Sequence, residues 1–353
     1  RQMCIRDRGY CGPFFEKPLV LGGLMTTGSD MSRSILLFCA IGNLLLIPLF
    51  SSAQNQNLDS YFEKRTAWGD PNIQGVWDKR TVTPLERPAR FENRAFLSPE
   101  EIIEYEKASA EREDGRPLDF ARTSISVHDP EDLDYGSTYV TTGQTSLVTE
   151  PSNGRIPYYT EAANERIEKA SKMKEGRGPA DSWIDRNLTE RCLTWGVPQG
   201  MLPQPYNNNL KILQTPDHVM FYLEMAHDVR IVPLDGRPHL PENLRLWHGD
   251  SRGHWDDDTL VVRTKNFSPK SNFRRANTDL EIEERFRRNS EDQLEYTLEV
   301  KDDTTWVSDW TVSYPMVRSD GPIYEFACHE GNYGLLNILS VARNLEKEEQ
   351  ENK

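Results

Sequence analysis

The chain is poor in cysteine and has no cation-rich run. Five cysteines in 353 residues exclude a disulfide-dense scaffold. With 42 Lys and Arg against 56 Asp and Glu, the net charge of -14 repels phosphate backbones, so no nucleic-acid partner is expected. None of the seven histidines falls in HExxH or HxH, and no CxxC is present. No Gly/Ser linker marks a domain boundary, and no repeat with a period of about 20 to 50 residues points to a solenoid. The longest apolar run, residues 35–50, is broken by Gly42, Asn43 and Pro48. It falls short of the roughly 20 residues a spanning helix needs, so no stable membrane span is expected. What the chain does have is aromatic: eight Trp, 13 Tyr and 13 Phe argue for a packed core.

From Met31 the sequence reads MSRS, then the apolar run, then SSA before Gln54. A basic start, an apolar middle and a small-residue end make a secretory signal peptide over 31–53, so a periplasmic or secreted protein is expected. Residues 1–30 precede a plausible start at Met31, match no targeting pattern and are read as a non-native leader. Cys4, Cys11 and Cys39 leave with these segments. Cys192 and Cys328 remain for an oxidising compartment, and a disulfide between them is expected, worth roughly 2–4 kcal/mol. The alternative makes Cys328 a nucleophile beside His329, but sequence neighbours on a strand point to opposite faces.

One β-rich domain is expected over 54–344, with an irregular wrap to residue 205, a strand-rich core from 206, and a disordered tail at 345–353. Prolines 71, 84 and 88 favour extended backbone in the wrap. Gly75-Val76-Trp77 is similar to the GxW that opens lipocalin-like barrels, but three residues are a weak signal and a Trp capping the core accounts for them better. Ser98-Pro99-Glu100-Glu101 spells a capping box with Pro at N1, predicting a helix to about Glu113, and a second helix is expected from Glu161 to Gly176.

Beyond residue 209, β-branched and aromatic segments alternate with turns: NLKILQT, HVMFYLEMAHDVRIVPL, LRLWHG, TLVVRTKNF, DQLEYTLEV, TWVSDWTVSYPMV and IYEFAC. Tight hairpins are expected at Asp256 to Asp258 and at Ser319-Asp320-Gly321. The fold class is therefore mainly β, an antiparallel barrel-like, lipocalin- or calycin-like sheet with a few peripheral helices. If 218–234 is one strand, Val219, Phe221, Leu223, Met225, His227, Val229 and Ile231 share the apolar face, with Glu224, Asp228 and Arg230 opposite. If it turns at Ala226-His227-Asp228, His227 stands at a barrel rim.

Three chemistries compete. Gly249-Asp250-Ser251-Arg252-Gly253 matches GxSxG, but no helix follows to form a nucleophile elbow. The histidines, His128, His218, His227, His239, His248, His254 and His329, allow a divalent metal if the barrel gathers them, although no cofactor is expected. The third is metal-free acid/base work. It takes His227, His239, His329, Glu330 and Tyr333 as catalytic candidates. Arg230, Arg237, Asp228, Tyr206, Asn207, Asn208 and Asn209 are the substrate-binding candidates.

The runs YNNN at 206–209, EMAHDVRIVPLDGRPH at 224–239, WHGDSRGHWDDDTLVV at 247–262 and CHEGNYG at 328–334 resemble an uncharacterised family of secreted bacterial proteins, the likeness extending from about Asp70 to Arg343. The resemblance implies export and a single unit, and it carries over no catalytic residue. The functional expectation is a secreted enzyme of the lyase or dehydratase type, using His/Tyr acid/base chemistry on a small molecule or oligosaccharide such as an acidic sugar. The alternative is a lipocalin-like carrier enclosing an apolar ligand.

Overall fold

A computed structural model of the chain describes residues 64–111, 134–271, 273–330 and 332–352. The expected leader, the signal peptide, the first ten residues of the wrap and His128 lie outside the described residues. The strands are β1 (Gly75–Asp78), β2 (Val148–Glu150), β3 (Asn209–Gln214), β4 (His218–Leu223), β5 (Val229–Pro233), β6 (Asp250–Asp256), β7 (Thr259–Lys265), β8 (Glu281–Arg288), β9 (Gln293–Lys301) and β10 (Trp310–Arg318). The α-helices are α1 (Pro99–Ala110), α2 (Glu161–Lys172) and α3 (Tyr333–Glu351).

The sheet is antiparallel and bends into a nearly closed barrel, in the order β5-β4-β3-β1-β10-β9-β8-β7-β6, with β2 added beside β10. Nine strands alternate in direction along this path. An odd count brings the two ends, β5 and β6, together pointing the same way. Parallel neighbours need a long crossover rather than a hairpin, and the stretch 234–249 between them is that connection. No ladder joins the two at this seam; it closes through side chains. A Cβ on Gly253 of β6 would come within 2.9 Å of Val232 Cγ1 on β5, so the seam's approach depends on that glycine.

Alternation fills the interior. Leu294, Tyr296, Leu298 and Val300 of β9 are buried, as are Trp310, Val312, Tyr314 and Met316 of β10, while the residues that alternate with them are at least partly open. Phe221 of β4 stacks on Phe286 of β8 at 4.7 Å between ring centroids, although these strands are not sheet neighbours. That contact therefore crosses the barrel. Each buried aromatic contributes about 1.5–3 kcal/mol by leaving water, and a stacked pair adds roughly 0.5–1.5. Trp77 of the GxW triplet lies on β1 and is fully buried.

The helices sit outside. The Ser98 side chain accepts from Glu101 N–H and the Glu101 carboxylate accepts from Ser98 N–H, closing the expected box at the start of α1. α1 buries only Ser109 and α2 only Ala163, while α3 buries no residue. The expected disordered tail from 345 differs from the structure, in which α3 continues to Glu351. LEKEEQE contains strong helix formers and neither Gly nor Pro, so nothing stops the helix that Asn332 caps. Two further expectations change. LRLWHG forms a turn with a single bridge from Leu246 to Phe267 rather than a strand. Residues 323–328 pair with no strand and form a strap, so Ser319-Asp320-Gly321 opens no hairpin.

Candidate functional site

The 218–234 segment turns, and that turn builds the site. β4 ends at Leu223, Met225 is fully buried, and Ala226 (φ 59°) and His227 (φ 44°) take left-handed backbone before β5 begins. Two consecutive non-glycine residues in that region are uncommon. Leu223 N–H donates to Asp228 O at 2.9 Å and closes the turn. The reversal shifts the parity. Val229 and Ile231 are 46% and 60% exposed, whereas Arg230 and Val232 point inward. Arg230 is thus inside the barrel rather than on the outer face, and His227 stands at the rim.

Below the turn, residues 194–204 plug this end of the barrel. Met201 and Leu202 are buried, and a Cβ on Gly200 would meet Leu223 Cδ1 at 2.9 Å. Lys79, fully buried, donates from Nζ to Gly200 O at 2.9 Å, and Tyr314 donates its hydroxyl to Met201 O. Burial lowers the Lys79 pKa to about 7, with Asp78 and Glu224 opposing the shift. Asp228 fastens the plug to the rim. Its Oδ2 accepts from Thr194 Oγ1 at 2.7 Å and from Trp195 N–H at 2.9 Å. The Thr194 hydroxyl also lies 2.8 Å from His248 Nε2. Because its hydrogen goes to the carboxylate, His248 is the donor in that contact.

The strap closes over the turn. Cys328 bonds to Cys192 across 136 residues, the disulfide expected from the cysteine count, which removes Cys328 as a nucleophile. Asn332 donates to Glu190 O at 3.1 Å. Glu224, buried, accepts from Asn209 N–H and Asn209 Nδ2 through one oxygen and from Tyr324 N–H through the other. His227 Nδ1 lies 2.9 Å from Phe326 O. A carbonyl only accepts, so Nδ1 carries the ring proton and Nε2 is the basic nitrogen of the neutral imidazole.

Between strap and sheet lies a cleft of about 500 Å³ lined by Tyr222, His227, Ile323 and Glu325. Tyr222 alternates with the buried Phe221 and Leu223, so the cleft opens on the outer wall of the barrel and not into its interior. It presents an imidazole, a phenol and a carboxylate, the three groups that general acid/base work requires.

The remaining candidates fall into separate places. His329, Glu330 and Tyr333 lie beyond the strap at the disulfide end, and none lines the cleft. His239 Nδ1 lies 3.0 Å from Asp250, which also takes Arg252, forming a second polar cluster at the seam. Arg230 grips Glu284 in the interior, and Arg237 is paired with Asp235 on the surface beyond the opposite end of β5. Neither clamps the cleft. Asn208 exchanges hydrogen bonds with Gln204 N–H and O, shaping the loop, and Asn207 supplies a left-handed turn residue. Tyr206 is half-buried, and desolvation raises its pKa. Ser251 lies buried within β6 with its hydroxyl 2.9 Å from Thr264 Oγ1, a strand position and not an elbow. No group of three or more His, Cys, Asp or Glu suited to a metal occurs among the described residues.

Sequence reasoning missed Tyr222, Glu224 and Glu325. Tyr222 reads as one more aromatic in a strand, and the strap that brings Glu325 to it reads as a strand of its own. Comparison with known proteins supplies no relative: no family model, no curated protein and no solved structure matches the chain.

Proposed function

We propose that the rim cleft is an acid/base site of the lyase or dehydratase type, with His227 as base and Tyr222 as acid. The observation that carries this reading is the contact of His227 Nδ1 with Phe326 O, which leaves Nε2 basic beside Tyr222 and Glu325. In an elimination, Nε2 takes a proton from carbon and the C–O bond on the adjacent carbon breaks. The departing oxygen takes the phenolic proton of Tyr222, giving an alkene and an alcohol or water with no redox partner. Glu325 would accept a substrate hydroxyl and fix its orientation. Tyr222 thus replaces Tyr333 as the phenol of the expected His/Tyr pair.

The substrate class is a small hydroxylated molecule or the end of an oligosaccharide. With Arg230 and Arg237 elsewhere, a substrate carboxylate would have to be met by Lys211, which stands opposite Tyr222 in the β3–β4 register. The carrier reading is disfavoured because aromatic side chains and the Arg230–Glu284 pair occupy the interior. Export and membership in the secreted bacterial family belong to the same proposal, supported by the signal-like 31–53 segment and by a disulfide that persists in oxidising compartments.

The test is a thermal-shift screen of neutral and acidic sugars and apolar ligands, followed by product analysis. A sugar that raises Tm and is converted to an unsaturated product by the parent, but not by His227→Gln or Tyr222→Phe, is the expected result. Shifts with apolar ligands only, equal in parent and variants, would overturn it.

A further inference from the structure

Away from the cleft, Arg87 poses an electrostatic problem. It is 7% exposed, and buried guanidinium groups are ordinarily paired with a carboxylate. Arg87 has only neutral acceptors: Nε donates to Thr145 Oγ1 at 2.9 Å and Nη1 to Ser152 O at 2.9 Å. Nη2 bonds to no described residue and is not among the buried nitrogens without partners, so solvent reaches it. A second cation adds to the imbalance. Arg155, three residues beyond Ser152, is exposed, and its guanidinium has neither hydrogen bond nor ion pair among the described residues. Burial lowers the proton affinity of Arg87, and the charge of Arg155 lowers it further, so the two cations feel one another. Glu86, the neighbouring carboxylate, is engaged by Ile156 N–H at 3.0 Å and bonds to neither arginine.

The backbone is shaped around this pair. Arg87 N–H donates to Gly154 O at 2.8 Å, and Gly154 has φ +69°. A Cβ there would lie 2.9 Å from Arg87 Cζ and Nε and 2.4 Å from Ser146 Oγ. The 151–155 loop can cover the guanidinium this closely because residue 154 has no side chain.

We propose that Arg87 and Arg155 form an oxyanion site, taking a carboxylate, sulfate or phosphate group on the free edge of the Arg87 fork with Arg155 closing over it. Guanidinium forks match such groups with paired, charge-assisted hydrogen bonds. The site is independent of the acid/base reading of the rim cleft.

The experiment titrates the full chain with inorganic phosphate at constant ionic strength, chloride being the balancing salt, and follows Tm and the Nε–H resonances of the arginines. Phosphate is expected to raise Tm and shift the Arg87 Nε–H resonance. Arg155→Ala, at an exposed position, should weaken apparent binding by about tenfold, as expected for loss of a charged partner. Arg87→Lys, which keeps the charge and loses the fork, should weaken it as well. An equal response to phosphate in parent and Arg155→Ala, or an unmoved Arg87 resonance, would overturn the proposal. If Arg87→Lys fails to fold, the Arg155 comparison and the resonance decide alone.

Discussion

Arg230 of β5 and Glu284 of β8 form a two-pronged ion pair across the barrel interior, from strands that share no ladder, at 5% and 0% side-chain exposure. Tyr296 donates its hydroxyl to the same carboxylate at 3.0 Å, and the Arg230 guanidinium lies 4.8 Å from the centre of the Phe221 ring. Burial, with the Glu284 charge next in size, raises the Tyr296 pKa well above the ordinary phenol range, so it remains a donor. Removing one charge from such a pair strands the other in an apolar interior. Glu284→Gln is expected to cost about 3–5 kcal/mol in denaturant unfolding. The triple variant Arg230→Met, Glu284→Leu, Tyr296→Phe should recover most of that loss. A triple variant no more stable than Glu284→Gln would show that the network contributes net stability.

The tautomer of His227 is open to direct observation. A long-range proton–nitrogen NMR spectrum at neutral to alkaline pH should show Nδ1 protonated and Nε2 with a free lone pair, because Nδ1 faces Phe326 O at 2.9 Å. The opposite tautomer would remove the base from the proposed mechanism.

Lys79 makes stability depend on pH. Its pKa falls from the ordinary lysine value of 10.5 to about 7 in the fold, so between these values the unfolded chain holds a proton that the folded chain has released. Stability should therefore rise with pH across that window, by roughly 1 kcal/mol per unit near its middle. Below about 7 both states carry the proton, and the contribution levels off at its least favourable. The difference in unfolding free energy between the parent and Lys79→Met, measured from pH 6 to 10, isolates this contribution. A difference that stays flat across the window would mean that Lys79 is charged in the folded protein.

The disulfide holds the cleft wall as well as the fold. Closing a loop of 136 residues limits the unfolded chain by about 4–5 kcal/mol in the chain-entropy account. Cys192→Ser with Cys328→Ser should lose a substantial part of this. It should also speed amide exchange at Cys328, whose N–H donates to Phe326 O at 2.9 Å, more than in the β9–β10 ladder. Equal acceleration in both places would assign the bond a purely global role.

Several strands were legible because β-branched and aromatic runs end in recognisable turns, and the Asp257 turn, at φ 52°, lies where the three aspartates put it. β6 and β8 were not, because DSRGHWD and EIEERFRR are rich in charge and poor in β-branched residues. The cysteine pair was legible by elimination, and the Ser98 capping box by spacing. Parity past Leu223 was not, because the turn uses Ala226 and His227 in backbone that usually advertises itself with glycine or asparagine. The turn, one of the two geometries the sequence allowed, sent Arg230 inward and His227 to the rim. The cleft was illegible for another reason: Tyr222 and Glu325 are far apart in sequence and meet where the strap folds back, held by the disulfide and by its contacts with Glu224 and His227.

The strand order bears on how the barrel assembles. β3 to β5 and β6 to β10 are two meanders whose antiparallel neighbours adjoin in sequence, so each can form from nearby chain. β1, four residues long, is the strand that hydrogen-bonds to both, pairing Trp77 with Leu210 on one side and with Arg318 on the other. Its pairing with β10 spans most of the described chain and gains nothing until both meanders exist. β1 can pair with β3 as soon as the first meander exists, whereas its pairing with β10 waits for the last strand. The hydrogen-bonded join between the two halves therefore rests on one four-residue strand whose two edges become available at different times.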